Sequence, residues 1–128
     1  MVLFPFTKPH SRVLVIEDDD GIRGLLVDYL QSAGYVVDAA QDGIEGLFYA
    51  RATAPDVVLL DLNMPRMDGQ SFLDVWRRNE RLAAVPVVIY SGAPGDHAVA
   101  KRLGARAYLM KPVDLDVLQA VVDKVATT

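Results

Sequence analysis

"DVVLLDLNMPRMDG", residues 56–69, is the stretch whose reading decides the fold. Its four consecutive apolar residues, Val57 to Leu60, read as a strand covered on both faces, because a strand with one wet face alternates polar and apolar side chains. The run ends on a carboxylate, Asp61, and passes into Asn-Met-Pro and Asp-Gly, which is turn chemistry. Strands covered on both faces belong to parallel sheets held between helices, so the flanking sequence should alternate strand and helix patterns.

It does so on both sides. "RVLVI" (12–16) is a short β-branched run ended by four acids, Glu17 to Asp20. Ile22, Leu25, Leu26, Tyr29, Leu30 and Ala33 then recur at helical steps, and Gly34 stands where a helix stops. "YVVDAA" (35–40) is the second strand, and Asp42 caps a second helix whose inner face is expected to hold Ile44, Leu47 and Phe48. Asp68 is the expected cap of a third helix, with Phe72, Leu73 and Trp76 on its buried side. "VPVVIYSG" (85–92) is the fourth strand, and a fourth helix runs from about Asp96 to Leu103, with Gly104 after it. "RAYLM" (106–110) is the fifth strand, Lys111-Pro112 a turn, and Val113, Leu115, Leu118, Val121, Val122 and Val125 mark the last helix. The expectation is an α/β fold: a doubly wound, five-stranded parallel sheet with five helices in a three-layer sandwich. Residues 1–11, interrupted by Pro5 and Pro9, read as an N-terminal tail, and residues 12–128 as one domain.

Composition narrows the function. The chain has 128 residues, of which 52% are apolar and 23% charged, with a net charge of −4. That supports a real core and gives no basic footprint, so no direct nucleic-acid partner is expected. The absence of cysteine removes disulfides and thiolate metal sites and suits a reducing cytoplasm. No run approaches the roughly 20 apolar residues of a membrane span, so no membrane partner is expected either. Neither GxxxxGK[ST] nor GxGxxG occurs, which removes P-loop and dinucleotide readings.

In open parallel sheets ligands bind beyond the carboxyl ends of the strands. Those ends carry Glu17, Asp18 and Asp19 after strand one, Asp61 after strand three, Ser91 after strand four and Lys111 after strand five. Carboxylates brought that close repel and call for a cation, and Mg²⁺ suits a site with few carboxylates because it keeps several waters. A hydroxyl and an ammonium aimed at Asp61 make sense if that carboxylate acquires anionic oxygens, as a nucleophile for a phosphoryl group would. Other residues take plainer readings. Asp19 or Asp20 caps the first helix, Trp76 and Met110 pack, and His10, His97, Arg102 and Arg106 are solvated.

"VLVIEDDDGIRGLL", "PDVVLLDLNMPRMDG", "VVIYSG" and "GARAYLMKP" resemble, in order and separation, the signature segments of the receiver domain of two-component response regulators. The resemblance covers the chain from Arg12 onward. It implies the flavodoxin-like strand order 2-1-3-4-5, Asp61 as phospho-acceptor, and Mg²⁺ held by Asp61, by Asp18 directly, by Glu17 through water and by the backbone carbonyl of Asn63. It further implies Ser91 as the switch hydroxyl beside a small Gly92, Lys111 as the motif lysine with a cis bond to Pro112, and Tyr108 as the aromatic that swings inward. The implied partners are a histidine kinase or phosphotransfer protein on the input side. On the output side they are a protein effector meeting the face of the fourth helix, fifth strand and fifth helix. Two departures stand out. The segment between Ser91 and Lys111 is short, which predicts a short fourth helix, and "GARAY" lacks the acids that accompany dimerisation through the last helices in transcription-factor receivers. A stand-alone switch is the first expectation and the receiver segment of a longer regulator or hybrid kinase the alternative. A haloacid-dehalogenase-type phosphatase would need an acid two positions after the nucleophile, where Asn63 stands.

Overall fold

The apolar runs become a parallel sheet in the computed structural model, which describes residues 11–63 and 69–126. The strands are β1 (Arg12–Ile16), β2 (Val36–Ala40), β3 (Val57–Asp61), β4 (Val87–Ser91) and β5 (Ala107–Met110). They pair in the order β2-β1-β3-β4-β5, every pair parallel. Among the described residues, six helices connect and follow them: α1 (Asp20–Ser32), α2 (Gly43–Ala52), α3 (Gly69–Arg77), α4 (Glu80–Ala83), α5 (Asp96–Arg102) and α6 (Leu115–Ala126).

The two-residue period of a strand sorts the core into two layers. Leu14, Ile16, Val58, Leu60 and Ile89 face one side and pack with Leu47, Phe72, Leu73, Trp76 and Leu103. Val13, Val15, Val57, Leu59 and Val88 face the other, under Leu26, Leu30, Leu118, Val122 and Val125. Both β3 and β4 are buried along their whole length, which is why they read as unbroken apolar runs. Each such side chain taken out of water contributes about 1.5–3 kcal/mol, before chain entropy is set against it.

Three local signals work as expected. Asp19 caps α1, its carboxylate accepting the Ile22 N–H at 2.9 Å, and Asp42 caps α2 through the Glu45 N–H at 2.9 Å. Gly34 ends the α1 segment at φ 100°, a conformation that costs an L side chain dearly.

The five-helix expectation needs correction. The extra element, α4, is a single turn of four residues, capped by Asn79 Oδ1, which accepts from Arg81 N (3.0 Å) and Leu82 N (3.2 Å). One turn is too short to show a helical period, and only Leu82 in it is buried. The expected fourth and fifth helices are therefore α5 and α6. The inner face of α2 is also different: Ile44 and Phe48 are 53% and 70% exposed, while Gly43, Gly46, Leu47 and Ala50 turn inward. The helix lies so near the sheet that a Cβ on Gly46 would stand 2.6 Å from Ile16 Cδ1. Met110, read as packing, is 68% exposed at the end of an edge strand. Ser11, read as the last residue of the tail, is buried, and its carbonyl accepts the Val36 N–H at 3.0 Å. The loop residues Met64 and Pro65 and the expected cap Asp68 lie outside the described residues. Among the described residues no helix is long and apolar enough to cross a membrane.

Candidate functional site

Because β1 leads to β2 on one side and β3 lies on its other side, strand order reverses between β1 and β3. Crevices in doubly wound sheets open at such a reversal. The register pairs Ile16 with Leu60, so the next residues, Glu17 and Asp61, emerge side by side at the carboxyl edge. Both are buried, at 0% and 3% exposure, while Asp18 is exposed at the rim. One carboxylate oxygen from each of Glu17, Asp18 and Asp61 lies within 4.8 Å of the others.

Lys111, brought in at the end of β5, answers this charge. Its Nζ donates to Asp61 Oδ2 at 3.1 Å and to Glu17 Oε1 at 3.2 Å, and it stands 4.7 Å from the centroid of the Tyr90 ring. The Lys111-Pro112 peptide is cis. Glu17 also accepts the Tyr90 hydroxyl at 2.6 Å and the Asp19 N–H at 3.2 Å, and Asp61 accepts the Asn63 N–H at 3.1 Å. Arg23 braces the β1–α1 turn by donating to the Glu17 carbonyl at 2.9 Å.

These contacts set the titration of each group apart. Burial pushes Glu17 upward, but the Tyr90 hydroxyl, the Asp18 side chain, the Asp19 N–H and Lys111 outweigh it and bring it down to about 2. Burial lifts Asp61 to about 6 even though the Asn63 N–H and Lys111 pull the other way. Asp18 is raised by desolvation and by its neighbour Glu17. Lys111 is raised: desolvation opposes its charge, and the bonds and attraction from Asp61 and Glu17 overcome it. The result is an anionic pocket with the Lys111 ammonium against it, whose carboxylates could hold a metal ion.

Ser91 is fully buried at the end of β4. Its hydroxyl donates to Asp96 Oδ2 and accepts from Asn63 Nδ2 at 3.0 Å, and the same amide donates to Asp96 Oδ2 at 3.3 Å. Tyr108 is half-buried, with its hydroxyl donating to the Ser91 carbonyl at 3.3 Å and its ring stacked on His97 at 4.8 Å and 13°. A Cβ on Gly92 would stand 3.4 Å from Lys111 Cβ, an ordinary van der Waals contact that sets the start of the loop after β4 beside the lysine. All the candidate residues therefore gather at one edge of the sheet.

Residues 13–123 match the family model described as the response regulator receiver domain. This chain belongs to that family. The receiver is 39% identical over 111 residues to the DNA-binding dual master transcriptional regulator RpaA of Synechocystis, covering 85% of this chain and 46% of that protein. It is 33% identical over 114 residues to the transcriptional regulatory protein BaeR of Escherichia coli, covering 88% and 46%. Among solved structures, the Vibrio cholerae chemotaxis protein CheY4 superposes with a TM-score of 0.83 at 31% identity, covering 91% of this chain and 98% of that one. A putative response regulator from Chloroflexus aurantiacus reaches 0.87 at 28% identity, covering 94% and 100%. The receiver spans about half the length, 46–49%, of the curated relatives it matches.

Three residues of the site escaped the sequence reading. Tyr90 looked like one more strand residue, although an aromatic hydroxyl amid aliphatics in β4 was the available signal. Asp96 looked like an ordinary acid at a helix start, and His97 like a solvated side chain. Their roles depend on which loops meet, and a single chain pattern does not carry that.

Proposed function

We propose that this receiver takes a phosphoryl group from a histidine kinase or phosphotransfer protein onto Asp61 and converts it into a changed surface on the α5, β5 and α6 face. The observation that carries this reading is the placement of a buried Asp61 between an acidic rim and the Lys111 ammonium, 3.1 Å away. A carboxylate so enclosed is ionised at neutral pH yet poorly solvated, which suits a nucleophile more than a structural anion.

In the reaction an Asp61 oxygen attacks phosphorus, the O–P bond forms, and the bond from phosphorus to the donor histidine nitrogen breaks with its electron pair leaving on nitrogen. Asp61, Asp18, the Asn63 carbonyl and, through water, Glu17 are the residues that would hold Mg²⁺, which when bound neutralises charge on the phosphoryl oxygens. Lys111 already faces Asp61 and supports the charge that builds there. Glu17, kept ionised by Tyr90 and Lys111, keeps that ammonium in place. Ser91 then turns its hydroxyl to a phosphoryl oxygen, the loop after β4 follows, and Tyr108 moves with it. Because the phosphoryl group adds charge and acceptors, it biases an equilibrium between two surfaces.

We assign residues 12–128 to the receiver, with Ser11 bonded to β2 just ahead of it, and residues 1–10 to a tail, and place the protein in the cytoplasm. A switch acting alone is the first reading. A second reading, the receiver segment of a longer regulator, is favoured by the 46–49% coverage of relatives that are named as transcriptional regulators. Incubation with Mg²⁺ and acetyl phosphate tests the chemistry: the wild-type chain should be labelled and Asp61→Asn should not. Equal labelling of the two would sink the proposal.

A further inference from the structure

We propose that Asp96 is a latch on the switch hydroxyl, a positioning residue that holds the Ser91 proton until a phosphoryl oxygen on Asp61 competes for it. The inference rests on the reading of Asp61 as phospho-acceptor and adds a residue that the motif segments do not include.

A serine hydroxyl has a single proton to donate. Here that proton is given to Asp96 Oδ2, so it cannot at the same time be given to a group on Asp61. The acceptor is charged, and bonds to charged acceptors are roughly twice as strong as neutral ones. Release therefore needs an acceptor at least as anionic, which a phosphoryl group is. Asp96 is itself tied down, since Oδ2 also accepts the Ala93 N–H at 3.1 Å and the Asn63 amide at 3.3 Å.

The latch connects to the output face through a closed ring of contacts. Ser91 bonds Asp96; the next residue, His97, stacks on Tyr108; and the Tyr108 hydroxyl returns to the Ser91 carbonyl at 3.3 Å. Turning the Ser91 hydroxyl from Asp96 to the phosphoryl group opens this ring at one link. The first turn of α5 then loses its tie to β4 at the moment Ser91 shifts, so α5 and Tyr108 respond together.

The test uses the full chain with Mg²⁺ and beryllofluoride as a phosphoryl stand-in, followed by tryptophan fluorescence or calorimetry, with the rate of labelling by acetyl phosphate as a second readout. Asp96→Ala should bind beryllofluoride about tenfold tighter, the factor that 1.4 kcal/mol corresponds to, and should be labelled faster. In a Ser91→Ala background the same substitution should change nothing, because the proton it guards is gone. His97→Ala, which cuts the ring at an exposed link, should give a gain of about threefold, in keeping with the modest strength of a ring stack. Unchanged or weaker binding by a folded Asp96→Ala overturns the latch. An equal gain in the Ser91→Ala background also overturns it, assigning the effect to lost negative charge. A wild-type chain that takes neither beryllofluoride nor label would instead overturn the Asp61 reading on which the latch depends.

Discussion

Lys111 Nζ stands 3.1 Å from Asp61 Oδ2, and a contact of 3.2 Å to Glu17 Oε1 makes the same ammonium serve two buried carboxylates. Removing one partner of a buried pair leaves the other charge desolvated and unpaired. Lys111→Ala should therefore lower stability at pH 7 by about 2–4 kcal/mol. The loss should shrink below about pH 6, where Asp61 takes up a proton and no longer needs the cation. Urea unfolding at pH 7 and pH 5 measures it. An equal loss at both values would show that the ammonium is not compensating Asp61.

Asp61 itself is held against the preference of the fold. Its folded value, about 6, lies above the ordinary carboxylate range because burial penalises the charge. The protonated form thus contributes stability that is complete below the unfolded value near 4 and is lost as pH rises through about 6. Asp61→Asn, tested with chelator present, should raise stability at pH 7 to 8 by on the order of 2 kcal/mol and make little difference near pH 4. Adding Mg²⁺ should narrow the gap, since an ion that binds the folded wild type stabilises it by mass action. A variant less stable than wild type at pH 7 would contradict this.

Tyr90→Phe removes the hydroxyl that donates to Glu17 at 2.6 Å. Glu17 has a folded value of about 2, so its ionised form contributes stability that is present above the unfolded value and lost as pH falls through about 2. The substitution should cost about 1.5–3 kcal/mol at pH 7, the range for a hydrogen bond to a charged group. Less of that should remain at pH 3. A cost independent of pH would assign the loss to packing instead.

Gly46→Ala tests how closely α2 lies on the sheet. A Cβ there meets Ile16 Cδ1 at 2.6 Å and Cγ1 at 3.1 Å, and Ile16 is fully buried, so its methyl moves only by displacing core neighbours. Overpacking of this kind costs about 1–3 kcal/mol, more than the roughly 1 kcal/mol that alanine gains over glycine in a helix. The variant should melt lower, and Ile16→Val, which removes the colliding methyl, should recover most of the loss. Failure to recover would place the clash elsewhere.

How much of this was legible beforehand depended on the range of the interaction that decides each feature. Val57 to Leu60 and Val87 to Tyr90 announced buried parallel strands because every position along them is covered. Asp19 and Asp42 announced their helices because a cap bonds only three residues ahead. The inner face of α2 was misread because Ile44 and Phe48 suit a core by type, whereas the close approach of Ile16 selects Gly46 for that face. Helix α4 was missed because one turn has no period. In the site, Asp61, Glu17 and Lys111 could be found as polar residues ending apolar runs. The acceptor for Ser91 and the ring stacked on Tyr108 could not, since Asp96 and His97 reach them only through the path of the loop between β4 and α5.

The central claim, that Asp61 is the residue that receives the phosphoryl group, is tested most directly by mapping the label. The chain would be incubated with Mg²⁺ and acetyl phosphate, the acyl phosphate trapped by borohydride reduction, and its peptides sequenced by mass spectrometry. The account predicts one modified position, Asp61, and loss of the label under base when reduction is omitted. A folded chain carrying the group on another residue, or carrying none, would contradict it.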